Sequence, residues 1–192
     1  MANIHCQLLS ATILYGLVFV GSIIELFSIA YAKSSFNGYC YLFYKKDKLP
    51  SAVPCSLVIY SSGGAAMYAL VMAIYHGYGT IVASRESHIG RTMWVMPWLL
   101  INSLAVILIF ICALVYSVGF HISCSKNCDK VIDYKTKFVA EITGWINVLL
   151  WCCLVGIEGI RLARNRRASS REVYVDPDAS DVVNIGNIVP TA

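Results

Sequence analysis

Two isolated glutamates and a set of loop cysteines are the residues of this chain whose types and spacing could do chemistry. Glu25 and Glu158 each sit inside a long apolar stretch, where an ionisable side chain marks a functional position by default. Glu158 precedes Arg161 by one helical turn, which allows an ordinary same-face pair. Glu25 has Lys33 as its nearest cation in sequence, about two turns away. Cys40 and Cys55 flank one polar segment, and Cys124 and Cys128 sit in another. Paired cysteines in loops suit disulfides in an oxidising compartment. Of the pairings open to four cysteines, Cys40–Cys55 with Cys124–Cys128 is preferred, because each closes within one loop. Cys6, Cys112, Cys152 and Cys153 lie in or beside apolar stretches and read as small packing residues.

Catalytic and cofactor chemistry finds little support in these residues. A membrane thiol reductase would want Cys-x-x-Cys, whereas the chain has Cys124-x-x-x-Cys128 and the adjacent pair Cys152-Cys153. Transmembrane haem ligation would want paired histidines at depth, and His5, His76, His88 and His121 lie at span ends or in loops. No Gly-rich phosphate loop, metal box or nucleophile elbow is present. The expectation is a protein that is not an enzyme, with no cofactor, metal or catalytic residue.

The elements that must position these residues are four apolar stretches, roughly 7–30, 56–75, 93–116 and 139–160. A spanning helix needs about 20 mostly apolar residues, and 58% of the 192 residues are hydrophobic while 14% are charged. Stretches such as Leu104–Ile111 lack the alternation of a barrel strand, so helices are expected. The predicted fold is an all-α, four-transmembrane-helix bundle with two small cysteine-containing extracytoplasmic loops. Residues 1–162 form the membrane domain, and 163–192 form a flexible, disordered cytoplasmic tail.

Four spans place both termini on one side. The run Arg161, Arg164, Arg166 and Arg167 after the last span favours a cytoplasmic C-terminus. The full count is balanced, however: seven arginines fall on that side and eight lysines on the other. The loop cysteines decide for cytoplasmic termini, in the plasma membrane or a secretory-pathway membrane. Ala30-Tyr31-Ala32 resembles a signal-peptidase site, but no Lys or Arg precedes the apolar run and the run is long for a signal core. The first span is therefore expected to be retained. The net charge of +4 is spread over loops and tail, which argues against nucleic-acid binding.

Three motifs carry a family resemblance. Phe36-Asn37-Gly38-x-Cys40 follows the first span. Pro54-Cys55 leads into the second. Trp145-x-Asn147 with Trp151-Cys152 lies in the fourth and is the most specific. Together they resemble the transmembrane protein 179 family of four-span proteins, over roughly residues 16–160. That resemblance implies a multi-pass membrane protein without an established activity.

Within the second span Ser61, Ala65, Ala69, Ala73 and Gly77 recur every fourth residue. Such a smooth face lets helix backbones approach closely. Beyond the fourth span, Arg166-Arg167-Ala168-Ser169 resembles a basophilic kinase site. Phosphate on Ser169 would add roughly −1.5 to −2 charge beside arginines that favour an anionic leaflet. The functional expectation is an accessory, scaffold or trafficking component whose partners are the bilayer and other membrane proteins. The alternative is a small channel or transporter subunit, a homo-oligomer built around Glu25.

Overall fold

Each apolar stretch forms one continuous helix: α1 (Ala2–Ser35), α2 (Val53–Arg85), α3 (Met96–Cys124) and α4 (Tyr134–Val175). The computed structural model describes these residues and Leu42. Side chains are described for 6–35, 42, 53–82, 96–123 and 135–167. Pro54 and Pro97 fall in the first turns of α2 and α3, where a missing N–H leaves no hydrogen bond unmade. Hydroxyls inside the helices turn back on their own backbone, as in Thr12 to the Leu8 carbonyl at 2.9 Å and Thr80 to the His76 carbonyl at 2.8 Å. Such groups have no water at bilayer depth and must be satisfied within the protein.

All four helices are long and apolar enough to cross a membrane, over Cys6–Ser35, Val53–Val82, Met96–Ser123 and Lys135–Arg167. Their outward surfaces carry large apolar side chains, among them Phe27, Met67, Leu104 and Leu149. This is the distribution hydrocarbon requires and water would penalise. The chain is an integral, multi-pass membrane protein.

Side-chain contacts establish the topology. Tyr15 of α1 meets Tyr68 and His76 of α2, Asn102 of α3 and Glu158 of α4. Glu25 meets Ser62 and Asn147, while Ser61 meets Cys112. Between the first set and the second, residue numbers rise in α1 and α3 and fall in α2 and α4. The bundle therefore runs up-down-up-down, with the start of α1 and the end of α4 at one end, here called the terminal end.

Helix α1 packs broadly against α2 and α4, and α4 against α3, whereas the seam between α2 and α3 is thin. The core divides accordingly. One cluster near the terminal end joins Ala11, Tyr15, Ala69, Met72, Trp151 and Leu154. A second, at the opposite end, joins Ile29, Ala32, Cys55, Val58, Tyr116 and Phe120, with Leu42 folded onto it.

The expected tail begins differently. Helix α4 continues without a break to Val175, past the anticipated boundary at 162. At 1.5 Å per residue its length is roughly 60 Å, about twice the hydrocarbon thickness. The arginine run consequently continues the fourth span as helix. Residues 176–192 lie outside the described residues.

Candidate functional site

Among the described residues, two buried polar centres and one lateral groove stand out from the packing of the bundle. The first centre surrounds Glu158, which is 1% exposed. Its Oε1 accepts the Tyr15 hydroxyl at 3.1 Å, and its Oε2 accepts Asn102 Nδ2 at 2.8 Å. Asn102 Nδ2 also donates to the Tyr15 oxygen at 2.6 Å, and Asn102 Oδ1 accepts from Tyr68 at 3.0 Å. Every hydrogen-bonding position of the Asn102 amide but one lone pair is thus occupied. Arg161, 5% exposed, is electrostatically coupled to Glu158. The His76 ring stacks on Tyr15, centroids 5.3 Å apart, with Nε2 3.8 Å from Glu158 Oε1. Neither His76 nitrogen has a hydrogen-bond partner among the described residues. All four helices contribute, so the centre ties the bundle together at its terminal end.

The second centre lies about 15 Å away, ten residues along α1. Glu25, 4% exposed, accepts Asn147 Nδ2 at 3.2 Å and is hydrogen-bonded by Ser62. Two glycines make this possible. A Cβ on Gly144 would sit 3.3 Å from Glu25 Oε1, and one on Gly21 only 2.5 Å from Asn147 Oδ1. The polar atoms of both side chains therefore rest on backbone. Asn147 Oδ1 is buried and has no hydrogen-bond partner among the described residues. Farther toward the opposite end, Trp145 Nε1 donates to Ser117 Oγ at 2.9 Å and Ser117 donates to Glu141 at 2.8 Å. His121 Nε2 stands 3.5 Å from the same Glu141 oxygen.

Between the two centres the bundle is filled by Val18, Ala66, Ile109, Trp151 and Leu154, all at or below 6% exposure. These side chains interpose an apolar layer that no described polar chain crosses.

The groove occupies the thin α2–α3 seam. It has a volume of about 240 Å³ and is walled by Tyr60, Gly64, Ala65, Tyr68, Ala105 and Trp151. A Cβ on Gly64 would meet no atom within 4 Å. Trp151 is 1% exposed, and its Nε1 lacks a hydrogen-bond partner among the described residues.

The residues singled out from sequence distribute unevenly over these features. Of the family-type motif, Asn147 belongs to the Glu25 centre, Trp145 to the adjoining network, and Trp151 to the core between Tyr15 and Tyr68. Phe36, Gly38, Cys40 and Cys128 lie outside the described residues, as do the side chains of Cys124 and Ser169. Cys55 is fully buried at the start of α2. The small-residue stripe does not form one buried line. Ala69 is fully buried, while Ser61, Ala65, Ala73 and Gly77 are half-buried on either side of it. The buried line instead runs through Cys55, Val58, Ser62, Ala66, Ala69, Met72 and His76. Its spacing mixes steps of three and four, because a strict four-residue step drifts around a 3.6-residue helix.

The packing role expected of four cysteines holds for one. Cys112 is buried and accepts the Ser61 hydroxyl at 3.2 Å, whereas Cys6, Cys152 and Cys153 are exposed free thiols. Sequence reasoning also paired Glu158 with Arg161 alone and missed Tyr15, Tyr68 and His76. The available signal was depth: tyrosines well inside a span are away from the interface, where aromatic belts collect. Against protein-family models, curated proteins and solved structures, the chain finds no match.

Proposed function

We propose that this chain is a non-enzymatic accessory or scaffold component of other membrane proteins, of the transmembrane protein 179 type, and that the α2–α3 groove receives one transmembrane helix of its partner. The groove carries this reading. This seam is the most thinly packed of the four between neighbouring helices. The walls at Gly64, Ala65 and Ala105 are small enough for a second backbone to come close, which is how membrane helices associate. Tyr60 and Tyr68 bracket that small-residue floor one turn to either side. Lipid chains filling the same groove are the competing occupant.

The orientation proposed with this function places both termini in the cytoplasm. It rests on the arginine run of α4 and on a disulfide from Cys40 to Cys55, with a second from Cys124 to Cys128. Cys55 is buried and is not one of the free thiols, which supports its oxidation. The alternative of a channel or transporter subunit draws on Glu25, but the apolar layer between the two centres argues against a path through a single bundle.

Substituting Gly64→Leu tests the proposal. The open space at that position lets the fold accept the larger side chain, while the groove is filled. Purified gently from native membranes, the wild-type chain should bring a stoichiometric membrane partner that Gly64→Leu loses at unchanged thermal stability. Retention of the same partner by Gly64→Leu, or ion flux from the chain alone in vesicles, would overturn it.

A further inference from the structure

We propose that Glu25, with Ser62 and Asn147, forms a binding site for one exchangeable monovalent cation, a proton or Na⁺, reached from the end opposite the termini. Charge balance is the first argument. A carboxylate inside a bilayer is tolerated when paired, and Glu158 has Arg161 for that purpose. The partners of Glu25 are an amide and a hydroxyl, both neutral.

The second argument is the donor set. Two Glu25 oxygens and Ser62 Oγ, joined by Asn147 Oδ1 once its amide is turned, would bring hard oxygen ligands from three helices, the chemistry that a proton or a small alkali cation selects. Asn147 Oδ1 is the spare member, in a residue 1% exposed and without a hydrogen-bond partner among the described residues. Turning the amide about its last torsion would direct that oxygen toward Glu25. Gly21 and Gly144 are the third argument, since side chains at either position would press on these oxygens. The sequence thus keeps carbon away from one carboxyl and one amide at bilayer depth.

Glu141 and Ser117, hydrogen-bonded to each other about one turn beyond Gly144 on the side away from the apolar layer, are the polar groups past which the proposed approach runs. Among the described residues, the titratable and charged groups toward this end of the bundle are Tyr31 and Lys33 on α1, Tyr60 on α2, Cys112, Tyr116 and His121 on α3, and Lys135, Lys137 and Glu141 on α4. Of these, Cys112 is electrostatically coupled to Glu25 itself.

Infrared difference spectra of the full chain in phosphatidylcholine vesicles test the site. One series changes pH at constant choline chloride, and the other replaces choline by Na⁺ at constant pH. A carboxyl carbonyl band that changes in either series and is lost in Glu25→Gln supports the proposal. A pH response indifferent to Na⁺ identifies the proton, and a response to Na⁺ at fixed pH identifies the metal ion. Gly144→Ala, which keeps the carboxyl, should retain the band and shift its midpoint; this reads the site even where Glu25→Gln fails to fold. Spectra of the folded wild-type chain in which no carboxyl band changes in either series overturn the proposal. So does a band that Gly144→Ala and Glu25→Gln both leave unaltered.

Discussion

The bundle buries two glutamates about 15 Å apart and treats them in opposite ways. Glu158 is enclosed by charge and by saturated hydrogen bonding: Arg161 beside it, Tyr15 and Asn102 on its two oxygens, Tyr68 on the far side of Asn102. Glu25 is enclosed by neutral groups and by glycine backbone. The first arrangement is a structural tie among four helices, because Tyr15, Tyr68, Asn102 and Glu158 satisfy one another there, with only the two His76 nitrogens left without partners among the described residues. The second leaves an amide oxygen without a hydrogen-bond partner beside a carboxyl without a counter-charge among the described residues, an arrangement that packing alone would not select.

The largest effect should come from breaking the saturated centre. Glu158→Leu strands Arg161 in the bundle and leaves Tyr15 and Asn102 without their acceptor. Removing one partner of a buried pair costs about 3–5 kcal/mol, and detergent-denaturation titrations should show a loss of that size. The double change Glu158→Leu with Arg161→Leu should recover a large part of it, since replacing both partners by apolar groups is often near neutral. A double variant as unstable as the single one would mean that Arg161 is not the counter-charge, and the contrast with Glu25 would collapse.

A smaller effect is expected from Gly21→Ala, whose Cβ would lie 2.5 Å from Asn147 Oδ1. Overpacking of this kind costs roughly 1–3 kcal/mol. Gly16→Ala on the same helix meets nothing within 4 Å and should be neutral or stabilising by about 0.5–1 kcal/mol from helix propensity. Equal melting temperatures for the two variants would remove the requirement for close approach at the Glu25 centre.

The smallest effect should follow Ser62→Ala, which deletes one neutral hydrogen bond to Glu25. Interhelical hydrogen bonds in membranes average about 0.6 kcal/mol, so the expected loss is near that figure in the same titration. A loss several times larger would place Ser62 in a tie as saturated as that of Glu158.

Much of this architecture was legible in the residues themselves. Four apolar runs of spanning length leave one choice of secondary structure, because the hydrocarbon phase satisfies no backbone amide. The exposed position of Val71 and the burial of Ala69, two residues apart, follow from the same 3.6-residue period. The closeness of Glu158 to Arg161, enough for their charges to interact, was readable too, as a one-turn separation on a single helix. The length of α4 was not: a composition shift at the arginines signals where hydrocarbon ends but leaves the helix free to continue, and arginine is itself a good helix former.

What the sequence by itself determined, then, is the set of spans and the local pairs, since period, length and transfer free energy act on neighbouring residues. Tertiary structure alone decided which distant polar groups meet. Tyr15 and Glu158 are separated by 143 positions, and Glu25 and Asn147 by 122; no periodicity links them. The rotation of each helix about its axis sets these contacts, and that rotation is an outcome of packing all four together. Gly21 and Gly144 show the same division. On sequence they are two glycines in apolar runs, and only the approach of α4 to α1 gives them a role, by resting an amide and a carboxyl where any side chain would stand.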